Sequence, residues 1–266
     1  MRLHYEVVGE GPPLLFVSGW SQPGHRWARF AERLVDTYTC VMPDNRECGA
    51  TGPSPEPFTL TDLADDLLGV MDDLGHRRFR IVGVSMGGMV SQELIRLAPE
   101  RVVAAVLVST HGGHLDSIPP PDPMVVMPVG TTRYEIGYNL WSRLAGPGFA
   151  EAHPEVIAAE AEINAAHETS LDGVLRQFQA IQQFNPGDAL VGTPVPIVLA
   201  HGDADPLVPY ENGVRLAAKL GVELVTFPGV GHGLPFERPD ELIALIRRFF
   251  SESGQVGEQA VPESAQ

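Results

Sequence analysis

Cysteine is scarce in this sequence, with only Cys40 and Cys48 among 266 residues. A disulfide framework is therefore implausible, and a reducing compartment is compatible with the composition. No apolar stretch approaches the ~20 residues that span a bilayer, and residues 1–10 lack the basic and apolar regions of a signal peptide. We therefore expect a cytoplasmic protein without a membrane partner.

Basic residues are also few: 18 lysines and arginines stand against 34 aspartates and glutamates, for a formal net charge of −16. Nucleic acids attract basic surfaces, so we expect no nucleic-acid partner. Hydrophobic residues make up 44% of the chain, and this length is common for single domains with one large core. The composition predicts a globular protein, which we expect to be a monomer or a homodimer.

Short apolar runs alternate with segments of helical spacing along most of the chain. An alternating edge strand at 3–8 is followed by buried strand patterns at 14–17, 38–42, 79–84, 102–109, 197–200 and 223–227. Apolar residues at helical spacing predict helices at 26–35, 59–74, 86–97, 211–220 and 239–250. This alternation predicts the α/β class: a mostly parallel, twisted sheet with helices on both faces.

Residues 111–190 break this rhythm. A proline-rich passage at 118–128 precedes helical patterns at 131–144, 154–168 and 171–184, and no strand pattern occurs among them. We interpret this segment, hereafter the insertion, as a helical lid above a core formed by residues 1–110 and 191–250. The polar composition of residues 251–266 predicts a disordered tail.

A short motif follows the predicted strand at 79–84. Gly83-Val84-Ser85-Met86-Gly87 ends that strand and opens a predicted helix, as in the Gly-x-Ser-x-Gly nucleophile elbow. In such a turn the serine takes a strained conformation with its hydroxyl at the tip, near the partial positive charge of the helix N-terminus. The motif makes Ser85 a candidate nucleophile, although an ordinary glycine-rich turn stays open as an alternative.

Two more strand ends carry residues suited to activate a serine. Asp205 follows the strand at 197–200 and His232 follows the strand at 223–227, so the chain order is Ser, Asp, His. A serine hydroxyl needs a base to take its proton, and a histidine base needs an acid that fixes its tautomer. Asp203 competes for the acid role; the Asp-x-x-Val-Pro setting favours Asp205 and leaves Asp203 as a turn former.

Acyl transfer also requires donors for the developing oxyanion. One expected donor is the backbone N–H of Met86, directly after the candidate nucleophile. The other is the N–H of Trp20, in the loop after the strand at 14–17. Both roles use only the backbone, so they place no demand on the two side chains.

Several side chains of the insertion are candidates for an apolar substrate pocket. The substrate-binding candidates are Trp141, Met124, Tyr138 and Phe178. His111 and His114 suggest metal ligands, but a metal site wants three or four convergent ligands and no third is evident. We therefore expect no metal and place this histidine pair at the entrance beneath the lid.

Together these motifs resemble the α/β-hydrolase superfamily, in the branch of small lidded serine esterases, enol-lactonases and cofactor-free haloperoxidases. The resemblance spans about residues 3–250. Besides the elbow, it rests on Ser-Gly-Trp at 18–20, Asp-Asn-Arg-x-x-Gly-Ala-Thr at 44–51, His-Gly-x-x-Asp-x-x-Val-Pro at 201–209 and Gly-His-x-x-x-x-Glu-x-Pro at 231–239. It implies a serine hydrolase that cleaves a small ester or lactone with Ser85, Asp205 and His232 and needs no cofactor.

The resemblance leaves other chemistry open on the same residues: carbon–carbon bond hydrolysis, elimination, perhydrolysis, or ligand binding without catalysis. Two positions also depart from the family pattern. Ser18 stands where a histidine commonly supports the oxyanion loop, and Glu47 stands where glycine is usual. A charge at Glu47 either tunes the substrate or faces solvent, and we favour the solvent-facing interpretation.

Overall fold

The computed structural model describes residues 1–54, 56–167 and 169–258, and its centre is a seven-stranded sheet. The strands are β1 (Tyr5–Val8), β2 (Pro13–Val17), β3 (Thr39–Pro43), β4 (Phe79–Val84), β5 (Val102–Val108), β6 (Ile197–Gly202) and β7 (Glu223–Phe227). Their order is β1-β3-β2-β4-β5-β6-β7; β1 runs antiparallel to β3, and the other neighbouring pairs are parallel. The predicted α/β class with a mostly parallel sheet is confirmed.

Helices connect these strands. In chain order they are α1 (Ala28–Ala31), α2 (Leu60–Asp73), α3 (Met86–Leu97), α4 (Arg133–Leu144), α5 (Phe149–Ala152), α6 (Pro154–Ala166), α7 (Leu171–Gln183), α8 (Tyr210–Leu220), α9 (Leu234–Glu237) and α10 (Pro239–Glu258). Short 3-10 helices occupy Gly24–Trp27 and His114–Asp116. The helix predicted at 26–35 is shorter than expected, because the Leu34 N–H bonds back three residues to the Ala31 carbonyl at 2.7 Å. That bond tightens the chain into turns ahead of β3.

The central strands bury side chains on both faces, which explains their continuous apolar runs. Leu15 and Ile81 point into a core shared with α2, α3 and α8. Phe16 and Val82, one residue further along each strand, point into a second core shared with α1 and α10. All four side chains are fully buried, so the sheet requires helices on both faces.

Between β5 and β6 the chain forms α4 to α7, and no strand occurs in the described part of the insertion. α4 and α6 pack along each other around a small core that includes Trp141 and Ile157. α4 starts at a capping box, in which Thr132 and Glu135 exchange hydrogen bonds between side chain and backbone. None of the helices that the structure describes is long and apolar enough to span a bilayer.

The C-terminal helix runs further than the sequence predicts. Disorder is expected from Ser251, whereas α10 continues to Glu258. The Ser253 side chain is buried, and its hydroxyl donates to the Phe249 carbonyl at 2.8 Å, so the helix keeps packing beyond Phe250. Residues 259–266 of the predicted tail lie outside the described residues.

Candidate active site

Ser85 forms the turn between β4 and α3. Its backbone dihedrals are φ 55° and ψ −120°, a conformation that residues other than glycine rarely adopt. The Ser85 N–H donates to the Val108 carbonyl at 2.9 Å, and the Thr110 hydroxyl donates to the Ser85 carbonyl at 2.8 Å. Both partners lie at or just beyond the end of β5, so the neighbouring strand holds the strained turn in place.

Close packing around this turn explains its glycines. A Cβ atom on Gly87 would lie 2.0 Å from the Val17 carbonyl oxygen, and one on Gly83 would lie 2.2 Å from Ser91 Oγ. Neither distance leaves room for a side chain. Glycine at these two positions therefore lets α3 start directly against the end of β2.

Asp205 and His232 meet beyond the carboxyl ends of β6 and β7. Nδ1 of His232 lies 2.8 Å from Oδ2 of Asp205, and both side chains are buried. Oδ1 of Asp205 accepts the N–H groups of Leu207 and Val208 at 2.8 and 2.9 Å. An ionised carboxylate only accepts hydrogen bonds, so Nδ1 carries a proton and Nε2 is the basic nitrogen. The His232 N–H donates to the Leu144 carbonyl of α4 at 2.7 Å, so the insertion also anchors this loop.

A second histidine approaches the same carboxylate. Nε2 of the buried His201 lies 3.4 Å from Asp205 Oδ2 and 2.9 Å from the Val208 carbonyl. Burial by itself would raise the pKa of Asp205, but the facing rings of His232 and His201 outweigh it and lower the pKa to about 2. Asp205 is therefore ionised at neutral pH. His201 is the first residue of the His-Gly-x-x-Asp-x-x-Val-Pro motif, but the sequence does not indicate that its side chain approaches Asp205.

Asp203, the competing acid, bonds to the backbone instead of the imidazole. Its side chain is exposed, and Oδ1 accepts the Gly229 N–H at 2.6 Å, beyond the end of β7. Because Gly229 lies 26 positions further on, this bond links the loops after β6 and β7, and the turn-forming role of Asp203 stays a prediction. The geometry favours Asp205 as the partner of His232.

Ser85, Asp205 and His232 follow β4, β6 and β7, so they lie at the same edge of the sheet. Within the described residues, the imidazole bonds Asp205 and no hydrogen bond joins it to the Ser85 hydroxyl. Catalytic hydrogen bonds of this kind are often long without substrate and shorten in the complex. The contact between serine and histidine therefore stays a prediction, whereas the contact between histidine and aspartate is present.

The loop after β2 (residues 18–27) runs beside the candidate nucleophile. A Cβ atom on Gly19 would lie 3.4 Å from Ser85 Cβ. Trp20 follows Gly19, and Met86 is the first residue of α3. In the part of the chain that the structure describes, neither of these two backbone N–H groups has a hydrogen-bond partner. Both are therefore available to an anionic oxygen near Ser85.

Ser18, which stands where the resembled family usually has histidine, is buried at the start of this loop. Its hydroxyl donates to the Pro23 carbonyl at 3.3 Å and accepts the Trp27 indole N–H at 3.2 Å. These bonds hold the part of the loop that runs from Pro23 to Trp27. Trp20 and Ser21, which lie nearer the start of the loop, contact the insertion instead.

Helix α7 of the insertion supplies those contacts. The Trp20 indole N–H donates to the Val174 carbonyl at 2.8 Å, and its ring packs on Phe178 with centroids 5.3 Å apart. The Ser21 N–H donates to Gln177 Oε1 at 2.7 Å. Nothing in the sequence singles out Gln177, because its partner lies 156 positions away.

The four predicted substrate-binding residues have different surroundings. Phe178 lies beside the loop after β2 and is 41% exposed. Trp141 is buried and packs edge-on against Phe236 of α9, with centroids 5.4 Å apart. Tyr138 is half-buried, and Met124 is 56% exposed. Phe178 thus borders the loop that carries Trp20, and Trp141 borders the helix that follows His232. Substrate contact by all four residues stays a prediction.

The solvent-facing interpretation of Glu47 is wrong. Its side chain is 2% exposed, and Oε1 accepts the Arg176 guanidinium at 2.7 Å and the Ser54 N–H at 2.9 Å. Arg176 lies on α7, so this ion pair ties the insertion to the loop after β3. The backbone of Glu47 has φ 70°, a left-handed conformation that favours the glycine usual in the resembled family.

Other histidines lie in or beside the insertion. Burial, together with the nearby His114, lowers the pKa of His111 to about 4. His25 stacks on His167, and burial together with that neighbour lowers the pKa of His25 to about 4. Among the described residues no group of three or more His, Cys, Asp or Glu side chains is arranged to hold a metal ion.

The surface clefts of the described residues include two that differ in volume. The larger has a volume of about 180 Å³ and is lined by His111, Gly112, Asp116, Asn212, Arg215, Leu216 and Lys219. The smaller has a volume of about 120 Å³ and is lined by Pro57, Phe58, Thr59, Asp62, Arg176, Gln179 and Gln183. Ser85, Asp205 and His232 line neither of them, so we assign neither cleft to the substrate.

Comparisons with known proteins agree with this architecture. Residues 14–245 match the alpha/beta hydrolase family. The non-heme chloroperoxidase CPO-A1 of Kitasatospora aureofaciens is 26% identical over 257 residues, which cover 88% of this chain and 90% of that protein. A thermophilic esterase from Thermogutta terrifontis superposes with a TM-score of 0.79 at 24% identity, over 94% of this chain and 93% of its own. The enol-lactonase from Burkholderia xenovorans LB400 gives a TM-score of 0.80 at 22% identity, over 94% and 96%.

The structural similarities show the fold, and the family match extends over most of the chain. The resemblance inferred from the sequence motifs is confirmed. This chain belongs to the alpha/beta hydrolase family and is an enzyme of the hydrolase type.

Proposed function

We propose that the chain is a serine hydrolase that cleaves a carboxylic ester or lactone of a small, mostly apolar substrate through an acyl-enzyme. In this proposal Ser85 is the nucleophile, His232 is the general base and Asp205 orients the base. The observation that carries it is the 2.8 Å bond between the buried side chains of His232 and Asp205. That pair lies at the sheet edge where the strained Ser85 turn also lies.

The proposed reaction begins when Ser85 Oγ attacks the carbonyl carbon and His232 Nε2 takes the hydroxyl proton. The former carbonyl oxygen carries the negative charge and accepts the N–H groups of Trp20 and Met86. The carbon–oxygen bond of the ester then breaks, and His232 returns the proton to the leaving alcohol. Water attacks the acyl-enzyme with His232 again as the base, which releases the acid and restores the serine.

The electrostatics of the site support this division of roles. Asp205 keeps its charge because its pKa lies at about 2, so it can stabilise the imidazolium that forms when His232 takes a proton. Ser85 caps the N-terminus of α3, where unpaired N–H groups favour developing negative charge. The insertion covers this edge of the sheet and acts as the lid, with Phe178 and Trp141 toward the substrate.

The proposal is tested by labelling with a fluorophosphonate probe and by turnover of a chromogenic ester. We expect Ser85→Ala to abolish both signals. Ser109→Ala is the matched control, because Ser109, like Ser85, directly follows a strand; it is buried, and its hydroxyl is without a hydrogen-bond partner in the described residues. Near-full turnover by Ser85→Ala would show that the nucleophile is another residue.

A second candidate reaction is perhydrolysis on the same acyl-enzyme, favoured by the similarity to a non-heme chloroperoxidase. In that reaction hydrogen peroxide replaces water, its oxygen–oxygen bond stays intact, and the acyl group leaves as a peracid. Assaying peracid formation from acetate and peroxide beside ester hydrolysis separates the two candidates. Ser85→Ala should abolish whichever activity is present.

A further inference from the structure

We propose that Gln177, on helix α7 of the insertion, is a positioning residue for the oxyanion hole. The inference rests on the proposed function, in which the Trp20 N–H is one of two oxyanion donors. Gln177 does not touch the reacting atoms. It acts through the peptide that joins Trp20 to Ser21, whose N–H donates to Gln177 Oε1 at 2.7 Å.

The first observation is that this peptide sits in a strained part of the chain. Ser21 has φ 57°, in the left-handed region that residues other than glycine rarely adopt. Such a conformation is unfavourable and persists only where the surroundings hold it. Here both backbone groups of Ser21 are held from the insertion, because Gln177 accepts its N–H and the Thr169 hydroxyl donates to its carbonyl at 3.1 Å.

The second observation is that the Gln177 amide has only one orientation that satisfies its neighbours. The side chain is fully buried. Its Nε2 donates to the Arg46 carbonyl at 2.7 Å and to Cys48 Sγ at 3.2 Å. Exchanging the amide oxygen and nitrogen would set a donor against the Ser21 N–H and an acceptor against the Arg46 carbonyl. The amide oxygen is therefore fixed toward Ser21.

The third observation is that α7 also holds Trp20 itself. Its indole N–H donates to the Val174 carbonyl, and its ring packs on Phe178. The bonds of the Ser18 hydroxyl, in contrast, end at Pro23 and Trp27. The Trp20 side chain and the Ser21 N–H are thus both held by α7, while the Gly19 carbonyl, in the same peptide as the Trp20 N–H, accepts the Gln22 N–H at 3.2 Å. In this proposal the oxyanion hole is complete only when α7 is docked.

The test compares Gln177→Leu with Gln182→Leu, a control on the exposed face of the same helix. Loss of a whole oxyanion donor costs about 10²–10³ in kcat, so a displaced donor should lower kcat roughly 10- to 100-fold. KM should change far less. Binding of a trifluoromethyl ketone, which forms an anionic tetrahedral adduct with the serine, should weaken in parallel with kcat. The Gln182 variant should match the native enzyme in both measurements.

Two further variants keep the test informative if Gln177→Leu folds poorly. Gln177→Glu retains an acceptor for the Ser21 N–H, and in its protonated form it also retains a donor for the Arg46 carbonyl, so it should recover part of kcat. Thr169→Val removes the hydroxyl that donates to the Ser21 carbonyl, and it should lower kcat and ketone affinity together, by a smaller factor. The inference would be overturned if Gln177→Leu kept the native kcat. If that variant fails to fold, a native kcat in Thr169→Val would overturn it. So would a change confined to KM.

These outcomes are distinct from failure of the proposed function. If Ser85→Ala kept its activity, the nucleophile assignment and the oxyanion hole built on it would fall together. If Ser85→Ala were inactive while Gln177→Leu kept native kcat and ketone affinity, the serine hydrolase would stand. Only the positioning role proposed for Gln177 would be wrong.

Discussion

Oδ2 of Asp205 lies 2.8 Å from Nδ1 of His232. This contact distinguishes Asp205 from Asp203, the other acid considered for the same role. We expect Asp205→Asn to lower kcat by about 10⁴, the scale seen when a triad acid loses its charge. Asp203→Asn is the matched control and should have a small effect, because an asparagine oxygen can still accept the Gly229 N–H. Steady-state kinetics on one ester decides between them. The reverse ranking would exclude Asp205 as the acid.

The pH dependence of kcat/KM should show a loss of activity as the pH falls from about 8 to about 5. Histidine side chains in general gain charge in this range, and a base that is already protonated cannot accept the serine proton. Asp205 cannot cause this loss, since its pKa lies at about 2 and it stays ionised throughout. His25 and His111 cannot cause it either, because their pKa values lie at about 4. A flat profile would contradict a histidine base.

The same two histidines predict how acid affects the fold. The pKa values of His25 and His111 lie at about 4 in the native state, below the ordinary ~6.5 of histidine. Between these values the unfolded chain binds protons that the native chain does not, so the free energy of unfolding should fall as the pH drops through this window. Urea unfolding at several pH values measures the slope. His111→Gln should make it shallower, and an unchanged slope would contradict the assignment.

Local patterns were sufficient to find the candidate catalytic residues. Ser85, Asp205 and His232 each follow a predicted strand, and parallel strands bring their carboxyl ends to one edge of the sheet. No long-range contact had to be known in advance. The alternation of apolar runs and helical patterns predicted this shared edge. The Asp-x-x-Val-Pro setting already favoured Asp205 over Asp203, and the geometry of the two carboxylates agrees with that choice.

Contacts between the insertion and the core could not be predicted in this way. Gln177 differs in no sequence feature from Gln179, Gln182 or Gln183, and only the docking of α7 places it against Ser21. The solvent-facing interpretation of Glu47 fails for the same reason, because its partner Arg176 lies 129 positions later in the chain. The partners that decide these roles are distant in sequence, so spacing alone carries no information about them.

The left-handed backbone at Glu47 gives a prediction about stability. Glu47→Gly and Glu47→Ala both remove the pair with Arg176, but only glycine adopts φ 70° without strain. The alanine variant should therefore be less stable than the glycine variant by about 1 kcal/mol. Urea unfolding of the two variants measures the difference directly, and the shared loss of the ion pair cancels. An alanine variant as stable as the glycine variant would contradict the strain.

The charges around the insertion predict a preference among substrates. Three arginines in or near the insertion already have partners within the protein. Arg176 pairs with Glu47, and the Arg143 guanidinium donates to backbone carbonyls of α4 and of the segment before it. Arg26 lies 2.9 Å from Glu160 and over the Trp141 ring, and burial lowers its pKa. A carboxylate on the substrate would have to compete with these partners.

An unpaired carboxylate is costly to bury, and an excess of acidic residues repels an anion on approach. We therefore expect uncharged aryl and medium-chain esters and lactones to be better substrates than carboxylate-bearing ones. The matched pair is 4-nitrophenyl pentanoate and 4-nitrophenyl hemiglutarate, whose acyl groups differ in a terminal methyl or carboxylate. We expect kcat/KM at least about tenfold higher for the pentanoate, since 1.4 kcal/mol of unpaired charge already gives that factor. Added salt should narrow the gap, because it screens the repulsion at the surface.

The opposite result would identify a cation that binds the substrate. A preference for the hemiglutarate that weakens at high salt would mean that an arginine leaves its present partner for the substrate carboxylate. Arg26→Met and Arg176→Met would then locate it, because only the variant that removes the binding arginine should lose the preference while keeping pentanoate turnover. Arg26 is the first to examine, since its guanidinium is buried and its Nη1 has no hydrogen-bond partner in the described residues. If both variants kept the native preference for the hemiglutarate, the cation that binds the substrate carboxylate would be another residue.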